Sequence, residues 1–266
     1  MSSEVEESPD FVRALARGLS VIECFDENHR QLTLSEVAKL TDLSRPSARR
    51  ALLTLEALGY VRSDGDRFSL TARTLRLGYA YLSSEPLWTL AQPYLVNLRK
   101  ATGRSCSIAV LDGDEIVFVA RAAATRITHD EIGIGLRWPA YATSMGRVLL
   151  SGLAPEEFEA YLERTQFRKY TPHTIDSAAK LRRLVEQVRQ CGWAYADQEM
   201  DSELRSISVP LRDRKDRIVA AMNTAVRAHQ MDAETLQKEC LAGLQEAAAE
   251  ISAIIKARPA PRTSID

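Results

Sequence analysis

The stretch that most constrains this chain is TLSEVAKLTDLSRPSARRALLTLEALG, residues 33–59. Thr33 with Glu36 three residues on is a capping-box signature, and it predicts a short helix over 34–41. Val37 and Leu40 fall on its inner face, and Leu43 fills the turn behind it. Ser44 opens a second helix, in which Pro46 is tolerated because first-turn amides have no intrahelical acceptor. Ala48, Ala51, Leu52, Leu55 and Leu58 form one apolar stripe, and Gly59 stops the helix. Ser47, Arg50 and Thr54 are left on the opposite face, with Arg49 at its shoulder. Residues 60–63 and 67–70 are strand-like runs around Asp64-Gly65-Asp66, a tight-hairpin signal. Two short helices followed at once by a hairpin predict a winged helix-turn-helix, whose second helix fits the DNA major groove. Seven Arg stand against three acids between residues 45 and 81, a surplus of 7 − 3 = 4 positive charges. The whole chain has a formal net charge of −1, so positive charge is segregated here. Candidate DNA contacts are Ser44, Arg45, Ser47, Arg49, Arg50 and Thr54 on the helix, with Arg62 and Arg67 on the wing. Arg reads guanine edges, and Ser or Thr holds phosphates.

At 266 residues and 45% hydrophobic content the chain has room for two domains with buried cores. No apolar run approaches the roughly 18 residues that span a bilayer, so no membrane partner is expected. The start, MSSEVEESPD, is acidic and polar, the opposite of a secretory signal, which predicts a cytoplasmic protein. Cys24, Cys106, Cys191 and Cys240 lack CxxC spacing and read as reduced thiols. The four histidines show no ligand spacing, so no metal is assigned. Residues 11–25 predict the first helix, with Leu15, Leu19, Ile22 and Phe25 toward the core. Thr71 caps a helix to about residue 82, in which Leu75, Tyr79 and Leu82 form an apolar stripe. It reads as a linker helix that also pairs two subunits, with packing on its own domain as the alternative. The expected organisation is a disordered start (1–10), the winged domain (11–71), the linker helix (72–85), a second domain (86–257) and a disordered tail (258–266). Pro86 marks the boundary. The second domain reads as α+β. Helices are predicted at 87–102, after Ser144, at 155–164, 177–190 and 232–257. Strands are predicted at 106–111, 115–121, 193–198, 206–211 and 218–224.

Two stretches together resemble the IclR family of bacterial transcriptional regulators. The first is RALARGLSVIECF leading into TLSEVAKLTDLSRPSARRALLTLEALGYV. The second is PAYATSMGRVLLSGL, followed about forty residues later by GWAYADQEMDSELRSISVPLRD. The resemblance covers nearly the whole chain, and the wording of the second stretch resembles the subgroup that controls aromatic-acid catabolism through the β-ketoadipate pathway. It implies a two-domain protein, with the winged domain joined by a linker helix to an α+β, GAF-like effector-binding domain. It also implies homodimers or dimers of dimers, an organic-acid effector, and no cofactor or catalytic residue. A two-fold dimer requires an inverted-repeat operator in double-stranded DNA. Carried over onto this sequence, the pocket candidates are Trp138, Thr143, Ser144, Met145, Gly146, Asp197, Glu199, Arg205, Ser206 and Asn223. Ser144-Met145 and Asn223 stand where relatives carry smaller or hydroxyl residues, which favours a larger aromatic acid.

The same residues make physical sense as a pocket. A helix start at 143–146 attracts a carboxylate, Arg205 can pair with an acid if it turns inward, and Asn223 is a polar group on an apolar strand. The plainer readings remain open: Arg205 bridging Glu199 or Asp201, Ser144 capping its helix, Met145 and Trp138 in the core. Two competing functions are an enzyme using Cys106 with His129 or His173, and a second domain that only oligomerises.

Overall fold

The computed structural model describes residues 8–26, 28–84, 87–124 and 132–257. The chain divides into two compact units, 1–84 and 85–266. The Pro86 break, His129 and the tail from 258 onward lie outside the described residues, as does the start of the expected disordered N-terminus. Its last residues, Ser8 to Asp10, form a turn closed by Phe11 N–H donating to Ser8 O at 3.1 Å.

The first unit runs α1 (Arg13–Glu23), β1 (Leu32–Thr33), α2 (Leu34–Leu40), α3 (Arg45–Ala57), β2 (Val61–Asp64) and β3 (Arg67–Leu70). A 3₁₀ turn at Ala72–Thr74 then leads into α4 (Leu75–Ser84). The capping box forms: Thr33 Oγ1 accepts from Glu36 N–H, and Glu36 Oε2 accepts from Thr33 N–H at 2.7 Å. Ser44 caps α3, and the turn between the helices passes through Asp42 at φ 53. The core gathers Val21, Val37, Ala48, Leu52, Leu55 and Val61. Four expected core positions differ. Leu15 is 62% exposed, and Leu19, Leu40 and Leu58 are also exposed. The α1 stripe is broader than the one side that packs on α3, so only the turn around Val21 is covered within the unit. The sequence also gave no sign of β1, whose two residues pair with Phe68 and Arg67 to complete a three-stranded sheet, β1-β3-β2. A two-residue strand is too short to show a period. On α4, Leu75 and Tyr79 lie open to solvent, and Leu82 is half-buried.

The second unit is α+β, built on a six-stranded antiparallel sheet ordered β6-β5-β4-β9-β8-β7. Its elements are α5 (Leu87–Thr102), β4 (Ser105–Asp112), β5 (Glu115–Ala122), β6 (Arg137–Pro139), a 3₁₀ turn at Ala140–Ala142 and α6 (Ser144–Ser151). They continue with α7 (Pro155–Arg164), α8 (Ala178–Cys191), β7 (Ala194–Asp197), β8 (Leu204–Arg212), β9 (Ile218–Arg227) and α9 (Ala233–Ala257). Helix α9 packs on β8 and on α5, which covers β4 and β5, while α6 packs on β7, β8, β9 and α8. No helix among the described residues is long and apolar enough to cross a membrane. Gly146 locks α6 in place: a Cβ there would meet Ala140 O at 1.9 Å, so only glycine lets the helix approach that turn.

Candidate functional site

On the first unit the expected DNA contacts separate into two rows. Ser47, Arg50 and Thr54 border an apolar cleft shared with Leu15, Leu19 and Ile22 of α1. Thr54 Oγ1 donates to Arg50 O at 2.8 Å, and Ser44 Oγ accepts from Ser47 N–H as the cap. Arg49 stands on the next row, exposed, one turn before Leu53 and two before Glu56. Arg45 is exposed in the first turn. In the wing, Arg62 Nε donates to Ser69 Oγ at 3.1 Å, and Arg67 Nη1 to Gln31 O at 3.4 Å. Arg49 and Arg45 thus occupy the open side of α3, whereas Arg50 borders α1.

The second unit carries a cavity of about 420 Å³. Its floor follows from strand register. Arg121 lies opposite Ser107, Ser107 opposite Asn223, and Asn223 opposite Ser208, so one polar row crosses β5, β4, β9 and β8 on a single face. Asn223 Oδ1 accepts from Ser107 N–H at 3.1 Å. That donor fixes the amide orientation and leaves Nδ2 as the donor end of a side chain that lines the cavity. Ser144 Oγ, at the start of α6, lies 2.7 Å from both Ser206 Oγ and Ser208 Oγ. The apolar wall is Phe118 and Trp138, edge to face with centroids 5.3 Å apart, joined by Met145, Ile132 and Met200. Arg104, Arg121 and Arg227 bring positive charge, and Glu199 and Asp201 lie elsewhere on the wall.

Seven of the ten expected pocket residues line this cavity: Trp138, Thr143, Ser144, Met145, Glu199, Ser206 and Asn223. Three do not. Arg205 Nε donates to Asp197 Oδ1 at 2.6 Å, and its Nη1 to Ala228 O and Met231 O, so both residues form a structural tie. Arg205 and Asp197 are direct cross-strand partners, which is why Asp197, rather than Glu199 or Asp201, takes the guanidinium. The Asp197 hydrogen bond raises the pKa of Arg205 above its usual value. Gly146 serves packing, and its N–H is taken by the capping Thr143 Oγ1 at 3.0 Å. Glu199 carries an unforeseen partner, Arg147, whose Nη2 donates to its Oε2 while Nη1 donates to Tyr195 O at 2.7 Å. Arg147 is 2% exposed. Its signal in the sequence was a lone charge within SMGRVLLS, a segment otherwise free of charge. Ser107, Ser208, Phe118 and Arg121 were missed as well. Burial pushes the Cys106 thiol up to about 11, which suits a structural thiol rather than a nucleophile.

A winged helix-turn-helix and an α+β unit with a polar-floored cavity define a DNA-binding regulator with a sensory domain. The helix-turn-helix domain of the IclR family matches residues 14–65, and the bacterial transcriptional regulator IclR C-terminal domain matches 79–253. The chain belongs to the IclR family of transcriptional regulators. The Pca regulon regulatory protein of Pseudomonas putida is 39% identical over 88% of this chain and 80% of its own length. The crystal structure of a transcriptional regulator from Rhodococcus sp. RHA1 is 44% identical, with a TM-score of 0.79 over 92% of this chain and 98% of that one. The inducer-binding domain of a PobR double mutant from Acinetobacter, in complex with 3-hydroxybenzoic acid, is 30% identical, with a TM-score of 0.59 over 62% of this chain and 97% of that one.

Proposed function

We propose that this regulator responds to a small aromatic acid held in the cavity of its second unit. The observation that carries the reading is the pairing of a polar cross-strand floor with an aromatic wall in a cavity of about 420 Å³. That size falls within the roughly 300–1,000 Å³ range of small-molecule sites. The ring lies against Trp138, Phe118 and Met145, whose surfaces offer apolar area without requiring hydrogen bonds. Its polar groups meet Ser144, Ser206 and the Asn223 amide. Arg121, in the same row as Ser107 and Asn223, supplies the charge that Arg205 does not. The 3-hydroxybenzoic acid bound by the PobR domain and the Pca regulon relative support this class of ligand. Ligand and DNA affect each other only through a difference in affinity between two arrangements, so the coupling is reciprocal. The exposed apolar face of α4 and the cleft beside α1 favour assembly as a homodimer, or a dimer of dimers, on an inverted-repeat operator in double-stranded DNA. Titration calorimetry with hydroxybenzoates, protocatechuate and β-ketoadipate tests the reading. An aromatic acid is expected to bind wild type, and Asn223→Ala is expected to lose about 1–3 kcal/mol of affinity. No binding by any of these acids would overturn it.

A further inference from the structure

Glu56 is the one acid on α3, and it shares the row of Arg49 and Leu53. An acid on a surface that meets DNA opposes binding, because it repels phosphate and releases no counterion. Its geometry points to a compensating role. Glu56 Oε1 accepts from Ser63 N–H at 3.1 Å and also from the Ser63 hydroxyl. The root of the wing is already fixed, since Val61 lies in the core. Ser63 is two residues farther out, where β2 is exposed. Arg62 lies between these anchors, tied across the hairpin to Ser69, and Arg67 sits on the opposite strand.

We propose that Glu56 is a positioning residue for DNA binding: its carboxylate ties the outer wing to α3, so that Arg62 and Arg67 reach backbone phosphates while α3 lies in the groove. The proposal rests on the DNA-binding reading of the first unit. It also reverses the sign expected from charge alone. Deleting a negative charge beside DNA strengthens binding by simple electrostatics, whereas losing the tie weakens it.

The test is fluorescence anisotropy of the full chain on a mixed-sequence duplex of about 40 base pairs, titrated at several salt concentrations. Glu56→Ala is expected to bind about five-fold more weakly, with a salt slope shallower by about 1 as a wing phosphate contact is lost. Glu56→Gln keeps an acceptor oxygen for Ser63 and removes the charge, so it is expected to bind at least as tightly as wild type. Equal or tighter binding by Glu56→Ala overturns the proposal, as does a Glu56→Gln variant as weak as Glu56→Ala. Should thermal melting show that Glu56→Ala does not fold, Ser63→Ala decides: weaker binding supports the tie, and unchanged binding overturns it. Failure of wild type to bind any duplex would instead remove the DNA-binding reading itself.

Discussion

The two units hold their functional candidates in opposite ways. In the first, Arg45, Arg49, Arg62 and Arg67 stand on the surface, and the bonds shown for the wing arginines are to neighbouring backbone or hydroxyl groups. In the second, the polar candidates are buried and tie one element to another: Ser144 to β8, Asn223 to β4, and Arg147 to Tyr195 and Glu199. A surface group can change without disturbing the fold that presents it. A buried one cannot, because the same side chain that lines the cavity also holds one element to another.

The largest test of this contrast is Arg147→Met. Removing one member of a buried pair leaves Glu199 without its cation, and a loss of about 3–5 kcal/mol is expected. Thermal melting should show a drop of roughly 10 °C or more. A drop of only a degree or two would break the comparison. Arg49→Ala sharpens it from the other side. DNA affinity is expected to fall by about 1–3 kcal/mol, while stability stays within about 0.5 kcal/mol of wild type. Arg50→Ala, on the row beside α1, should have a smaller effect in the same gel-shift series. Ser144→Ala removes the hydroxyl between Ser206 and Ser208, and both stability and ligand affinity are expected to fall by about 1 kcal/mol, read by urea melts and calorimetry. The smallest effect on ligand binding is expected for Arg205→Ala. It should lower stability by about 1 kcal/mol and leave ligand affinity unchanged, since that guanidinium serves Asp197 and two carbonyls. A matching loss of ligand affinity would return Arg205 to the pocket.

What the sequence revealed divides along the same line. The helix-turn-helix was legible because its signals are local: the Thr33 and Glu36 box, the Ser44 cap and the Asp-Gly hairpin turn act over three or four residues. The positions of α5 and α7 were legible for the same reason. The polar floor was not. Ser107 and Asn223 meet across 116 residues of chain, and their facing depends on the β4–β9 register. Register also chose Asp197 over Glu199 for Arg205, a decision that charge alone left open. Leu15 shows the converse limit, since periodicity marks an apolar face without saying whether the unit itself covers it.

The three hydroxyls of Ser144, Ser206 and Ser208 have a consequence for how such a sensor diversifies. Each hydroxyl rotates, and in either 2.7 Å contact either oxygen serves as donor. The chain of bonds therefore runs in either direction, and the Ser206 end, which lines the cavity, can present a proton or a lone pair to whatever occupies it. That hydroxyl end of the floor, unlike the Arg121 and Asn223 end, accepts a donor or an acceptor alike. Under the proposed reading, discrimination among acids falls to the shape of the Trp138 and Phe118 wall, and substitution there is expected to change which acid binds while the hydroxyl relay stays intact.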